Sequence, residues 1–238
     1  MPFITDPARR LRAVIVTHGQ PGDPDPQQQA VQALAAEVAA LLPEAQIRGA
    51  TLAKPGALDR CADNAVLIYP MFMAEGWFSQ SELPRRLALA GAERARVLPP
   101  FGNDPRLPQL CHQIVARAAQ DQGWSAKDTT LLLAAHGSGR SRAPARAAWA
   151  MAEALAPGLA HITCGFIEEA PFLKDAATGL GAQTICLPLF ATRAEHVTDD
   201  IPKALTQAGF TGPLLPPIGA APEVPQMIAA TLAAAHLP

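Results

Sequence analysis

Two histidines, each placed after an apolar run, are the residues of this chain best suited to chemistry. His136 follows Leu131–Ala135, and His196 lies in a long loop that follows Ile185–Leu187. A neutral imidazole is a good ligand for a borderline divalent metal such as Co²⁺, Fe²⁺, Ni²⁺ or Zn²⁺. It also titrates near neutral pH and can accept protons. A lone histidine would more often only end a strand, but two that follow strands of one sheet could converge on a metal ion.

A carboxylate would complete such a site, and Glu168 is the first candidate. It follows a third apolar run, Ile162–Phe166. The weaker candidates are Glu169, Glu195 and Asp199. For Asp199 and Asp200 a simpler interpretation is favoured, because acidic residues stabilise the electropositive first turn of a helix.

The loop after His136 has the composition of an anion-binding turn. Ser138, Arg140 and Arg142 stand in a glycine-rich segment that precedes a predicted helix. Free backbone N–H groups at a helix start and arginine side chains both suit carboxylates or phosphates. A turn whose arginines are merely solvated would have the same sequence. Both interpretations stay open on the residues alone; under the first, these three residues would bind substrate.

The sequence also repeats itself at an offset of 118 residues, which indicates one fold unit duplicated and fused. His18 matches His136, but Phe78 stands where the second copy has His196, and Ala53 or Lys54 where it has Glu168. The second copy is therefore predicted to carry the working site. In the first copy, His18, Trp77 and Phe78 are expected either to contact the substrate or to fill a degenerate site, since aromatic side chains serve both purposes.

Apolar runs alternate with amphipathic segments throughout both copies. The predicted strands are Ala13–Thr17, Ile47–Leu52, Ala65–Tyr69 and Ala95–Leu98 in the first copy and Thr130–Ala135, His161–Phe166, Gln183–Leu187 and Pro213–Leu215 in the second. A helix is predicted after each strand, including one over Pro55–Cys61. Such alternation is typical of parallel sheets covered on both faces, whose ligands bind beyond the carboxyl ends of the strands.

The predicted fold is therefore α/β, with two tandem repeats that each form a four-stranded parallel sheet flanked by helices and that face each other across a cleft. The predicted domains are an N-terminal repeat with a degenerate site over 1–119, a linker over 120–128 and a C-terminal repeat with the metal site over 129–238.

Composition excludes several classes of function. The net charge is −2 without a long run of one sign, which argues against nucleic-acid binding. The widely spaced cysteines are typical of thiols in a reducing compartment; they are Cys61, Cys111, Cys164 and Cys186. Residues 1–12 lack a signal-peptide core, and no apolar stretch is long enough to span a membrane, so we expect a cytoplasmic protein without membrane contact. The P-loop motif is missing, so neither ATP nor another nucleotide is expected.

The second copy resembles the sirohydrochlorin cobaltochelatase/ferrochelatase family, the class II tetrapyrrole chelatases. The motifs that carry the resemblance are His136-Gly137-Ser138, Gly165-Phe166-Ile167-Glu168 followed by Pro171, and Pro188-Leu189-Phe190 running to His196-Val197 and Asp200-Ile201-Pro202. The resemblance covers nearly the whole chain, because longer members of that family are fused tandem repeats. Fused members often place both histidines in the first repeat, whereas this chain has the pair in the second.

The resemblance implies an ATP-independent lyase that inserts a divalent metal into sirohydrochlorin or a related tetrapyrrole, for cobalamin, siroheme or porphyrin biosynthesis. Co²⁺ is the first expectation, and Fe²⁺ or Ni²⁺ are alternatives. His136, His196 and Glu168 would be both metal ligands and catalytic residues: the histidines would accept the pyrrole protons, and Glu168 would complete the metal site or relay protons. As an internal pseudo-dimer, the chain is expected to act as a monomer.

Two other functions remain open at this point. The altered first copy would suit a non-catalytic metal or tetrapyrrole carrier derived from a chelatase, although both His136 and His196 are retained. The segment Thr17-His18-Gly19-Gln20 suggests a histidine phosphatase, but such enzymes have arginine directly before the histidine, where this chain has Thr17 and Ala135.

Overall fold

A computed structural model describes residues 10–236 of the chain. Residues 1–9, on which most of the expectation about a signal peptide rests, lie outside the described part, as do 237 and 238. In residues 10–236 no helix combines the length and the apolar character needed to cross a membrane.

The first sheet has four parallel strands in the order β2-β1-β3-β4. The strands are β1 (Arg12–Thr17), β2 (Gln46–Thr51), β3 (Leu67–Pro70) and β4 (Arg96–Val97). The flanking helices are α1 (Asp25–Leu41) and α2 (Leu83–Leu89). Because β1 pairs with both β2 and β3, the residue that follows it, His18, stands in the middle of the carboxyl edge of this sheet.

The second sheet is parallel as well and has three strands in the order β6-β5-β7. Its strands are β5 (Thr130–Ala135), β6 (His161–Phe166) and β7 (Thr184–Pro188). The helices that follow them are α4 (Ala143–Leu155), α5 (Leu173–Ala177) and α6 (Ile201–Gln207). Here β5 is the central strand, so His136 occupies the position in this sheet that His18 has in the first.

The predicted fourth strand of the second sheet is wrong in its extent. Only one isolated bridge, between Cys186 and Leu214, stands in its place. The Cys186 N–H donates to the Pro213 carbonyl and the Leu215 N–H donates to the Cys186 carbonyl, both at 2.9 Å. Pro213 and Pro216 flank these residues and have no N–H to donate, so the ladder cannot continue.

The predicted helix over Pro55–Cys61 is also wrong, because this segment forms a series of turns. Gly56 has φ +71°, a left-handed conformation that a right-handed helix cannot contain. The remaining predicted helices are present with ends shifted by a few residues.

Backbone contacts divide the chain into two compact units that do not coincide with the sequence repeats. The described part of the first unit comprises 10–72, Trp77–Phe101 and 222–236, and it includes α7 (Val224–His236), which packs on α1. The second unit comprises Met73–Gly76 and Gly102–Ala221. It includes α3 (Leu107–Asp121), which packs on α4 and β7.

Each compact unit thus contains the last helix of the other repeat. The predicted linker over 120–128 lies inside the second unit, where it holds the end of α3 and a 3₁₀ turn, Ala126–Asp128. Repeats of the sequence and compact units of the structure are different divisions of this chain.

Candidate metal centre

His136, Glu168 and His196 meet at the carboxyl edge of the second sheet. His136 directly follows β5, and Glu168 comes shortly after β6. His196 is the first residue of a π-helical turn, His196–Asp200, which leads into α6. Since β5 lies between β6 and β7, the three loops begin side by side. In the structure the three side chains lie together, as predicted.

The three potential ligand atoms lie within 4.8 Å of one another. The two imidazole rings meet edge to face, with ring centroids 4.7 Å apart and an interplanar angle of 89°. Glu168 Oε2 is 3.6 Å from His136 Nδ1. This is the one group of three such side chains found in residues 10–236. The side chains are 35% to 49% exposed, so a large ligand can reach them.

Hydrogen bonds determine which imidazole nitrogen is left for a ligand. His136 Nδ1 lies 2.9 Å from the Gly137 carbonyl oxygen, and His196 Nδ1 lies 2.7 Å from Asp200 Oδ2. A carbonyl or an ionised carboxylate can only accept a hydrogen bond, so each Nδ1 must carry the hydrogen. In the neutral ring the lone pair is then on Nε2, as is usual for histidines that bind metals.

Backbone and side-chain contacts fix the loops of His136 and Glu168 to each other. The Glu168 N–H donates to the His136 carbonyl at 2.9 Å, and the Ser138 N–H donates to Glu169 Oε1 at 2.8 Å. Glu169, a weaker metal candidate in the sequence, is thus used to hold the His136 loop. Gly137 has φ +70°, and a Cβ atom there would come within 2.9 Å of Phe166 Cβ. Glycine therefore allows the two loops to approach.

The His196 loop is anchored by apolar packing. Phe190 is buried, and its ring centroid lies 6.4 Å from those of His136 and of His196. Val197 and Ile201 are buried in the same core cluster as Phe190. The π-helical turn therefore has one apolar side fixed in the core, and the His196 side chain is held toward the open edge of the sheet.

Of the three predicted anion-binding residues, two lie beside the cluster of His136, Glu168 and His196. A surface depression is lined by Ser138, Gly139, Arg140 and Glu168. Arg142 is exposed and immediately precedes α4. Ser138 and Arg140 therefore border the cluster through Glu168, whereas Arg142 stands at the start of the helix.

The first unit contains a related arrangement in which Ala53 and Phe78 stand in place of Glu168 and His196. The Ala53 N–H donates to the His18 carbonyl at 2.9 Å, which is the bond that Glu168 makes to His136, so Ala53 rather than Lys54 is the counterpart of Glu168. Lys54 instead pairs with Asp25 at 2.6 Å. Phe78 stacks on His18 with ring centroids 5.0 Å apart, and Trp77 meets Phe78 edge to face at 5.0 Å. Trp77 and Phe78 are both exposed, by 63% and 41%.

Asp200, for which the sequence predicts a helix-start charge, instead lies 2.7 Å from His196 Nδ1. Its counterpart in the first copy is Glu82, the last residue of a second π-helical turn, Phe78–Glu82. Glu82 accepts hydrogen bonds from Arg85 and Arg86, each at 2.8 Å. These bonds hold the pKa of Glu82 at about 2, well below its ordinary value. The signal available in sequence was the four-residue spacing of His196 and Asp200.

Comparison with known proteins identifies the family of the chain. The profile of the CbiX family matches the chain twice, over residues 12–118 and 130–235. A solved structure reported as CbiX, the terminal enzyme for siroheme biosynthesis in denitrifying bacteria, is 66% identical over 94% of this chain and 99% of that chain, with a TM-score of 0.90. A search of curated protein sequences gives no match.

Two more distant structures share the fold. SirB from Bacillus subtilis, solved with Fe³⁺, is 15% identical over 93% of both chains, with a TM-score of 0.70. A multi-domain protein from Deinococcus radiodurans with structural similarity to chelatases is 23% identical over 94% of this chain and 55% of that chain, with a TM-score of 0.67. The double profile match and the 66% identity show that the chain belongs to the CbiX family of sirohydrochlorin chelatases, in a form with two copies of the repeat.

Proposed function

We propose that this chain inserts a divalent metal ion into sirohydrochlorin without ATP. The observation that carries the proposal is the cluster of His136, Glu168 and His196, whose potential ligand atoms lie within 4.8 Å of one another at an open sheet edge. Two imidazoles and a carboxylate suit Co²⁺, Fe²⁺ and Ni²⁺. In this reaction the metal ion is a substrate, and the cluster is the place from which it is transferred to the macrocycle.

The same three side chains balance the protons of the reaction. The macrocycle gives up two pyrrole N–H protons and gains one M²⁺ ion. When the metal leaves the histidines, their Nε2 lone pairs become available, and each imidazole can accept one of the two protons. Glu168, half exposed beside His136, would pass protons to solvent. Metal and proton compete for the same lone pairs, so release of one favours uptake of the other.

Substrate carboxylates and the macrocycle face would be bound by different groups. Ser138 and Arg140 border Glu168, and with Arg142 they supply the N–H groups and guanidinium charge that suit carboxylates. In the first unit, His18, Trp77 and Phe78 form an exposed aromatic cluster, which could contact a flat conjugated ring.

Fe²⁺ becomes the first candidate for the metal, ahead of the Co²⁺ expected from the sequence. The 66% identical relative is reported as an enzyme of siroheme biosynthesis, and siroheme is an iron tetrapyrrole. A site of two nitrogens and one oxygen does not itself separate Fe²⁺ from Co²⁺, because selectivity depends on geometry and metal supply. The cytoplasmic location and the monomeric state stay predictions from the sequence.

The experiment is anaerobic metal insertion into sirohydrochlorin, followed by absorbance, with Fe²⁺, Co²⁺ and Ni²⁺ compared and no nucleotide added. We expect turnover by the wild-type chain, abolition by His196→Ala, and substantial activity in His18→Ala, the matched histidine of the first copy. Equal activity of His196→Ala and wild type would refute the assignment of the site to the second copy. Tight tetrapyrrole binding without turnover would instead favour the carrier.

A further inference from the structure

Asp200 makes the shortest contact of any side chain with the metal cluster in the described residues. Its Oδ2 lies 2.7 Å from His196 Nδ1, and both side chains are partly exposed. A carboxylate that only stabilises the start of a helix would not need to contact the His196 ring. We propose that Asp200 is a positioning residue, which holds the His196 imidazole in the Nδ1–H form so that Nε2 faces the metal. This inference rests on the proposed function.

The four-residue spacing of His196 and Asp200 brings their side chains together, because residues four apart on a helical turn are neighbours. The turn is π-helical, since the Ile201 N–H donates to the His196 carbonyl, five residues back. Single π-helical turns are frequent at functional sites. Here the Asp200 carboxylate lies at hydrogen-bond distance from Nδ1 of His196.

The first copy provides an internal comparison, because it keeps the turn and the carboxylate but lacks the histidine. The Leu83 N–H donates to the Phe78 carbonyl in the same five-residue pattern. With no imidazole at position 78, Glu82 bonds two guanidinium groups, those of Arg85 and Arg86.

The second copy has Lys203 and Ala204 at the corresponding two positions, and there the carboxylate bonds the histidine. The change of carboxylate partner therefore accompanies the change of the ligand residue. A carboxylate kept only to stabilise a helix start would not change partner in this way.

A carboxylate behind a metal-binding histidine has two effects relevant here. It fixes the tautomer, and it fixes the orientation of the ring. Loss of such a partner typically lowers metal affinity or activity by about 10-fold to 100-fold. Asp200 would thus act on the metal through His196, without being a ligand itself.

The test uses the full chain with Asp200→Ala, Asp200→Asn and the matched control Asp199→Asn. Asp199 is an exposed carboxylate on the same turn, so its replacement removes the same charge. Three quantities are measured: the ¹⁵N shifts of the His196 ring nitrogens without metal, the Co²⁺ dissociation constant from absorbance titration, and kcat and KM for metal insertion.

We expect Asp200→Ala to lose the pure Nδ1–H signature and to weaken Co²⁺ binding by about 10-fold to 100-fold. Asp200→Asn keeps an oxygen that can accept the Nδ1–H bond, so it should restore the tautomer and most of the affinity. Asp199→Asn should leave both unchanged.

Three results would overturn the positioning role: an unchanged tautomer and affinity in Asp200→Ala, an equal loss in Asp200→Asn, or an equal loss in Asp199→Asn. The second would mean that Asp200 acts through its charge or as a direct ligand, and the third that only net charge matters. A wild-type chain that inserts no metal would refute the proposed function, while the tautomer and the Co²⁺ titration would still test Asp200.

Discussion

Phe78 stacks on His18 at a centroid distance of 5.0 Å and an interplanar angle of 20°. In the second copy the residue at the same position, His196, instead meets His136 edge to face. Together with Ala53 in place of Glu168, this substitution replaces two of the three groups that could hold a metal ion in the second unit. The backbone around it otherwise matches that around His136, since the Ala53-to-His18 bond and the π-helical turn are both present.

The double substitution Ala53→Glu with Phe78→His should therefore create a second metal site. We expect Co²⁺ titration to give two equivalents bound per chain instead of one. The new site should be weaker by about 10-fold to 100-fold, because Glu82 is already paired with arginines and cannot support the new histidine. The control is the same pair of substitutions combined with His196→Ala, which should bind one equivalent weakly. If the double variant, without His196→Ala, bound only one equivalent of Co²⁺, the first unit would not be a latent copy of the site.

Gly137 should be required for both stability and metal binding, whereas Gly139, two residues away, should not. An alanine at position 137 would be held in a left-handed conformation and would crowd Phe166 and Glu169, but a Cβ at position 139 meets nothing within 4 Å. The left-handed backbone alone costs about 1–2 kcal/mol. For a chain of this size that is a fall in Tm of roughly 2–8 °C.

Thermal unfolding and Co²⁺ titration of Gly137→Ala and Gly139→Ala would check this prediction. A Gly137→Ala protein with wild-type Tm and affinity would show that the contact between the two loops is not what holds His136 in place.

Replacing Glu82 should change how stability depends on acid. The pKa of Glu82 is lowered in the folded chain to about 2 by hydrogen bonds from Arg85 and Arg86. The stabilisation is therefore complete above the ordinary carboxyl pKa and is lost as pH falls toward 2. We expect the Tm difference between wild type and Glu82→Gln to be largest near pH 6 and to vanish near pH 2. A difference independent of pH would show that the ion pair is not its source.

Removal of α7 should affect the first unit, although α7 belongs to the second sequence repeat. Its buried residues include Val224, Ile228 and Leu232, and the helix packs on α1. In a chain that ends at residue 221, hydrogen exchange should speed up in α1 and β1, while β5 and the Co²⁺ affinity should be retained. Faster exchange confined to β5–β7 would contradict the division into units.

The convergence of His136, Glu168 and His196 was predictable because each of them follows a predicted strand. The ends of neighbouring parallel strands meet at one edge, so the positions of His136, Glu168 and His196 in sequence were enough to bring them together. Asp200 was not predictable in the same way. The four-residue spacing of Asp200 from His196 fits a helix-start charge as well as a histidine partner, and the turn that carries both is held by the packing of Val197 and Ile201 in the core.

Two features of the fold depend on contacts that a sequence pattern does not contain. The apolar segment at Leu214 and Leu215 resembles a strand, but the neighbouring prolines limit it to a single bridge. The repeat of the sequence was evident from its constant offset. That offset says nothing about which unit a terminal helix packs on.

The placement of α7 also sets the order in which the two units can be completed during synthesis. Apart from Met73–Gly76, the unit that holds the metal cluster is the continuous segment Gly102–Ala221. The first unit begins earlier on the ribosome but needs α7, which is made after residue 221. Domains generally fold as units while the chain emerges. The unit that is started first is thus finished last, and the unit that holds His136, Glu168 and His196 can be complete before it.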